Sequence, residues 1–303
     1  MPRHPSNDPV GLLAPPALRS RVAAGATRAP AAAFYRHVMR TLTDADIPFL
    51  VGGTYALGHY TGVLRPTKDL DVFVRRGSLE RALGAIGSTG YRTELTHPHF
   101  LGKAYAGTKF VDVIFSSGNG SCEVDDWWFE HAPHGTLFDL PVRFCPIEEM
   151  IWSKSYVMER ERYDGHDVAH LLRAGAHRID WPRLLARFGP HWRVLLAHLI
   201  LFGFIYPGER ARLPELVMDE LIDRLRREVP AALDANLCRG TLLSRSQYLH
   251  DIEHLGFSDA RIEPFGAMTV EETAQWTKAM EKEEKKATRA GGRTLRPAGR
   301  RRA

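Results

Sequence analysis

Two carboxylates stand one residue apart in "RPTKDLDVFV" (65–74), inside a run whose other residues favour a buried strand. Side chains two apart on a strand share a face, so Asp69 and Asp71 lie side by side while Leu70 and Val72 face the other way. Like charges that close repel unless a cation lies between them, so the pair predicts a bound metal, with a strand end or a calcium site as plainer alternatives. Upstream, "IPFLVGG" reads as a short buried strand ending in Gly52-Gly53, followed by Thr54 and the helical "TYALGHY". Downstream, "KFVDVIF" sets a third carboxylate, Asp112, on another strand. Glycines at a strand-to-helix turn let backbone N–H groups approach an anion. Three carboxylates on neighbouring strands suffice for two divalent ions, which orient a triphosphate and lower the pKa of an attacking hydroxyl. The chemistry implied is nucleotidyl transfer.

In that order and on those elements, "FLVGGTYALGHYTGVLRPTKDLDVFV" resembles the DNA polymerase β-like nucleotidyltransferase superfamily. The signature of that superfamily is a Gly-Gly or Gly-Ser turn, an Asp-x-Asp and a third Asp. The stretch looks especially like the minimal bacterial branch that holds the AbiEii- and MenT-type toxins and the aminoglycoside nucleotidyltransferases. The resemblance spans residues 34–175. It implies that Gly52, Gly53 and Thr54 hold the β and γ phosphates of an NTP such as ATP. Asp69 and Asp71 would bind both Mg²⁺ ions, and Asp112 would bind one and activate the acceptor hydroxyl. Lys154 resembles a nucleotide-contacting lysine in the helix after the sheet, and Asp164 and Asp167 match acidic residues beyond it. The sequence departs from the pattern in one respect, because the fifteen residues Thr54 to Lys68 separate the glycine pair from Asp69, more than is usual. The resemblance permits as acceptor a tRNA or other RNA end, a protein hydroxyl or a small molecule such as an aminoglycoside, and it allows a cognate partner protein of the toxin–antitoxin kind.

Lys154 carries weight by itself, because at helical spacing it shares a face with Met150, Ile151, Val157 and Met158. An unpaired ammonium is costly there, so a phosphate or carboxylate partner is expected; the alternative is a lysine that snorkels to solvent. Arg65 and Lys68 flank the acidic strand, where they either neutralise triphosphate oxygens or simply balance the aspartates. Trp127 and Trp128 offer rings for a base, although such pairs commonly belong to a core. In "HDVAH", His166 and His170 lie one helical turn apart beside Asp167, half of a metal site of the HD phosphohydrolase kind. His177, His191 and His198 supply no second His-Asp step for it. A non-catalytic, nucleotide-sensing or partner-binding module on the same fold is a further alternative, against which the three intact aspartates argue, since carboxylates that repel without metal would be lost from a degenerating site.

The scaffold predicted for these residues is an α/β (α+β) fold, a small mixed sheet flanked by helices and followed by an all-helical domain. Helices are expected at 31–46 and at "SLERALGAIGSTG", the latter capped by Ser78 and closed by Gly90, with strands at "YRTELT", "GKAYAG" and "LPVRFC". From Ile147 the pattern is helical: one run over 147–176, then 181–189, 191–206 and 213–229, a short segment within 243–257 and a charged helix from 270. The domains expected are a disordered segment at 1–30, a nucleotidyltransferase α/β domain at 31–146, a helical domain at 147–284 and a basic disordered tail at 285–303.

The net charge of +5 sits in the ends: 285–303 carries +8 and the first thirty residues +3, leaving −6 for the remainder. Such a tail either touches nucleic acid or is a solvated end. With 44% hydrophobic and 25% charged residues, the chain has the composition of a soluble globular protein. Cys122, Cys145 and Cys238 form no CxxC pair, so neither a disulfide framework nor a zinc site is indicated, and a reducing cytoplasm fits. The start of the chain has no unbroken apolar segment of the signal-peptide kind. The longest apolar stretch, 194–206, is shorter than the roughly 18 to 20 residues of a bilayer span and is expected to be a buried helix, with no membrane partner.

Overall fold

Buried and half-buried residues alternate along "DLDVF" and "KFVDVI", and these two segments form the centre of a mixed sheet. The computed structural model describes residues 29–228 and 236–278. Its main sheet has strands β1 (Leu50–Val51), β2 (Asp69–Phe73), β3 (Arg92–His97), β4 (Leu101–Ala106) and β5 (Lys109–Ile114), in the order β1-β2-β5-β4-β3. β2 and β5 run parallel with Asp71 opposite Asp112, and the other pairs are antiparallel. Leu70, Val72, Val111 and Val113 are wholly buried on the face that packs against α1 (Ala29–Asp44) and α3 (Leu79–Ser88). The three aspartates are thereby left to the opposite face.

After the short α4 (Asp126–Glu130), that face looks across a cleft to α5 (Ile147–Ser155), on which α6 (Gly165–Gly175) and α7 (Trp181–Phe188) pack, with α8 (Trp192–Ile205) against α6 and α9 (Glu215–Arg227) against α8. α2 (Gly53–Thr61) packs on α6, so a single hydrophobic cluster runs from Phe34 near the start through Leu70 and Ile151 to Phe202. Burial on this scale is the main stabilising contribution of the fold. Glu148 and Glu149 of α5 are buried and receive the guanidinium of Arg183, while Arg187 bridges Glu149 and Asp125 at 2.9 and 2.5 Å.

Several elements differ from expectation. The helical run 147–176 breaks between Ser155 and Gly165, so Val157 and Met158 leave the helix and do not share a face with Lys154. Instead Asp164 N–H bonds Val157 O at 3.0 Å and Met158 N–H bonds Leu243 O at 3.0 Å. Ser78 does not cap its helix with its side chain, because a 3₁₀ turn at Arg76–Ser78 already supplies the lead-in. A hairpin pairs the unanticipated β6 (His134–Leu137) with β7 (Leu140–Arg143), turning at Phe138 and Asp139 with φ of 49° and 64°.

The apolar helix α8 is buried on one side only, and Ile200, Phe204 and Ile205 are exposed. By length and composition the stretch Trp181–Ile205 would suffice to cross a membrane, with a mean hydropathy of 1.4. It is divided by a 3₁₀ turn at Gly189–His191 and carries Arg183 and Arg187 in buried ion pairs. Of the segment expected at 1–30, residues 29 and 30 belong to α1 and the rest lies outside the described residues, as do the tail expected at 285–303 and the part of the charged helix beyond 278.

Candidate active site

The glycine turn rests directly on the acidic pair. Gly52 N–H donates to Asp71 O at 2.9 Å, and the first bond of α2 runs from Ala56 N–H to Gly52 O at 3.1 Å. Gly53 has φ +53°, and a Cβ on it would lie 1.7 Å from Asp71 Oδ2, so both backbone and space demand glycine. A Cβ on Gly52 would come within 2.1 Å of the Phe73 ring. The N–H groups of Gly53 and Thr54 therefore open α2 beside the carboxylates, the position at which a helix favours an anion. Tyr35 Oη fixes the approach to β2 by donating to Lys68 O at 2.8 Å.

One carboxylate oxygen from each of Asp69, Asp71 and Asp112 lies within 4.8 Å of the others, a set of hard oxygen donors suited to Mg²⁺. Asp71 is pushed up to about 7, first by burial and then by Asp112 and Asp69. Burial also raises Asp112, against the opposing pull of Lys103. Thr67 donates its hydroxyl to Asp69. Lys103 stands opposite Asp112 in the β4–β5 register and reaches its Oδ1 at 2.6 Å. Sequence reasoning missed this lysine, yet the hairpin turn at Gly107 fixes the register, and counting back from it pairs Lys103 with Asp112.

Asp71 and Asp112 open on a cleft of about 720 Å³. Gly52, Gly53, Asp71, Lys103 and Asp112 line one wall, and Ser153, Lys154, Arg162 and Asp164 the other. Lys154 finds the carboxylate partners expected of it, with Nζ 2.9 Å from Asp164 and 2.8 Å from Asp167. Burial would raise Asp164, but the bonds from Arg162 and Lys154 outweigh it and hold the carboxyl well below the usual range. Asp167 lies outside that wall and links Lys154 to Arg65. Thr54, Lys68 and Asp69 also do not line the cleft, and Lys68 is exposed.

Arg65 does not line the cleft and reaches toward α6, donating to Asp167 at 2.7 Å and to His166 at 2.5 Å, with His170 at 3.4 Å. The two histidines of "HDVAH" thus hold a guanidinium, and the aspartate triad is the one metal-ligand cluster found among the described residues. Trp128 is core, stacked on Phe73 at 5.2 Å, while the half-exposed Trp127 carries Arg187 at 4.8 Å.

A further wall comes from residues 236–278. Trp276 packs on His97 and Phe100, with ring centroids 4.9 Å away in each case, and the Arg245 guanidinium lies 4.1 Å from its ring centre. Glu159 accepts from Ser244 Oγ at 2.7 Å and Asn119 Nδ2 donates to Leu242 O at 2.7 Å, tying this segment to both halves. Pairing so remote in sequence leaves no local signal.

The small mixed sheet flanked by helices is the one expected from the sequence, and it places the Gly-Gly turn beside the three aspartates. No family model matches the sequence, and no curated protein does. Solved structures align with part of it. The antibiotic-resistance factor ANT(2'')-Ia aligns at 19% identity over 55% of this chain and 95% of its own, with a TM-score of 0.38. The lincosamide antibiotic adenylyltransferase LnuA aligns at 12% identity over 47% and 96%, with a TM-score of 0.36. A nucleotidyltransferase-like protein from Paracoccidioides brasiliensis aligns at 13% identity over 67% and 96%, with a TM-score of 0.38.

Proposed function

We propose that this protein is a Mg²⁺-dependent nucleotidyltransferase that moves an NMP from an NTP to an acceptor hydroxyl and releases pyrophosphate. The observation that supports this reading is the set of three carboxylates within 4.8 Å of one another, under a glycine turn that admits no side chain. Asp69, Asp71 and Asp112 would hold two Mg²⁺ ions, which supply charge neutralisation to the triphosphate and acidify the acceptor hydroxyl. The N–H groups of Gly53 and Thr54 at the start of α2 receive the leaving phosphates. Lys154, facing the triad across the cleft, adds positive charge beside them. Asp112 takes the hydroxyl proton, the acceptor oxygen bonds to the α-phosphorus, and the bond from that phosphorus to the bridging oxygen breaks. The aromatic wall of Trp276, Phe100 and His97 offers a stacking surface for a base or a ring of the acceptor.

Incubation with each of the four NTPs labelled at the α-phosphate, Mg²⁺ and the candidate acceptors (total RNA, cell protein, aminoglycosides) tests the proposal. Label should pass to one acceptor class with wild type and fall by on the order of 10³-fold with Asp69→Asn/Asp71→Asn. Near-normal transfer by that folded variant would remove the proposed role of the triad.

A further inference from the structure

The outward face of α6 carries His166, His170 and Arg173 at steps of four and three residues, and His177 follows in the turn just past its end. Part of it lines a second cavity of about 300 Å³, where His170, Arg173 and His177 meet Arg212 and, from the end of α2, Thr61 and Val63. None of these residues lines the acidic cleft. The acid paired with this group is Glu209, which accepts from Nε of Arg173 at 2.8 Å and forms an ion pair with Arg212, whose Nε lies 2.5 Å away. Two guanidiniums thus share one carboxylate, and the cavity keeps a positive surplus before any histidine is protonated. Asp167, the acid on the same helix, is buried and turned to Lys154 and Arg65. Both arginines are about half exposed, at 52% and 48%, and bind Glu209 through Nε, so their planar forks retain donors for a further anion.

We propose that this cavity binds a phosphate group. Guanidinium forks match phosphate oxygens in geometry, neutral imidazoles add further donors, and the volume accommodates a phosphate with its ester substituent. The phosphate belongs either to the backbone of an RNA strand or to a free phosphate or nucleotide, and the site stands independently of nucleotidyl transfer.

The test uses the full chain in EDTA without NTP, so that loss of catalysis does not affect it. Binding of a labelled short single-stranded oligoribonucleotide is measured against salt concentration, and binding of inorganic phosphate and AMP by calorimetry. Arg173→Gln/Arg212→Gln should weaken oligoribonucleotide binding about tenfold and reduce the salt slope by about 0.7 for each phosphate that is no longer neutralised. Glu209→Gln, which removes the neutralising carboxylate, should tighten it, an opposite sign that a misfolded variant would not give. Effects on the oligoribonucleotide assign the site to a phosphodiester chain, and effects on phosphate or AMP alone assign it to a free ligand. Unchanged binding of every probe in both variants overturns the proposal.

Discussion

Two clusters of buried charge face one another across the cleft, and they are built in opposite ways. On the sheet, Asp69, Asp71 and Asp112 have one ammonium, Lys103, bonded among them; on the helices, Asp164 and Asp167 are met by Lys154, Arg162 and Arg65. The first cluster leaves Asp71 near 7, whereas in the second the arginine and lysine bonds overcome burial and hold Asp164 low. The same fold therefore satisfies its acids completely where they join a helix to a loop and leaves them short of cations at the candidate metal site. Charge alone does not mark the site; a deficit of compensation does.

Breaking the satisfied cluster should have the largest effect on stability. Lys154→Met removes the ammonium shared by two buried carboxylates, leaving Asp164 to Arg162 and Asp167 to Arg65 alone, and should cost about 3 kcal/mol in urea unfolding; a loss below about 1 kcal/mol would show that the two arginines already compensate them. The unsatisfied cluster should answer with the opposite sign. Because Asp71's folded value of about 7 lies above its ordinary 3.8, the folded protein holds a proton between those values that the unfolded chain has released. The stabilisation is complete below about pH 4 and is lost as pH rises through 7. Metal-free wild type should therefore lose about 3 kcal/mol relative to Asp71→Asn between pH 5 and pH 8, read from thermal melts. Parallel pH profiles would place that proton elsewhere.

Gly53→Ala combines a left-handed backbone with overlap on Asp71, so a loss of about 2 kcal/mol is expected together with weakened Mg²⁺ binding by calorimetry. Loss of stability with Mg²⁺ affinity intact would separate the turn from the metal site. The smallest effect belongs to Arg162→Gln: its side chain is 68% exposed, and its removal should cost less than about 1 kcal/mol while Lys154 continues to hold Asp164. A larger cost in unfolding experiments would make Arg162 rather than Lys154 the anchor of that cluster.

The triad and the glycine turn were legible because their signal is local: residue type, a spacing of two on a strand, and apolar neighbours that fix which face is buried. The sheet centre followed from the same alternation. The break after Ser155 was not legible, because Val157 and Met158 prolong the apolar periodicity without Pro or Gly and are held by bonds to Asp164 and Leu243. Arg65 was misplaced for a related reason, since proximity in sequence to Asp69 said nothing about Asp167, a hundred residues onward, which captures it. Trp276 and Arg245 reach the cleft only through tertiary contacts.

The β2–β5 pairing also bears on how the chain assembles. Lys103 and Asp112 belong to adjoining strands turned at Gly107, so that ion pair can form in a local hairpin. Asp71 is forty-one positions from Asp112, with α3, β3 and β4 between them. The aspartates therefore meet only when that long loop closes, and their repulsion adds to the entropy of closure. Completing the sheet brings the three candidate metal ligands together, so Mg²⁺ in the refolding buffer is expected to speed refolding as well as to stabilise the finished protein, which stopped-flow refolding with and without Mg²⁺ checks.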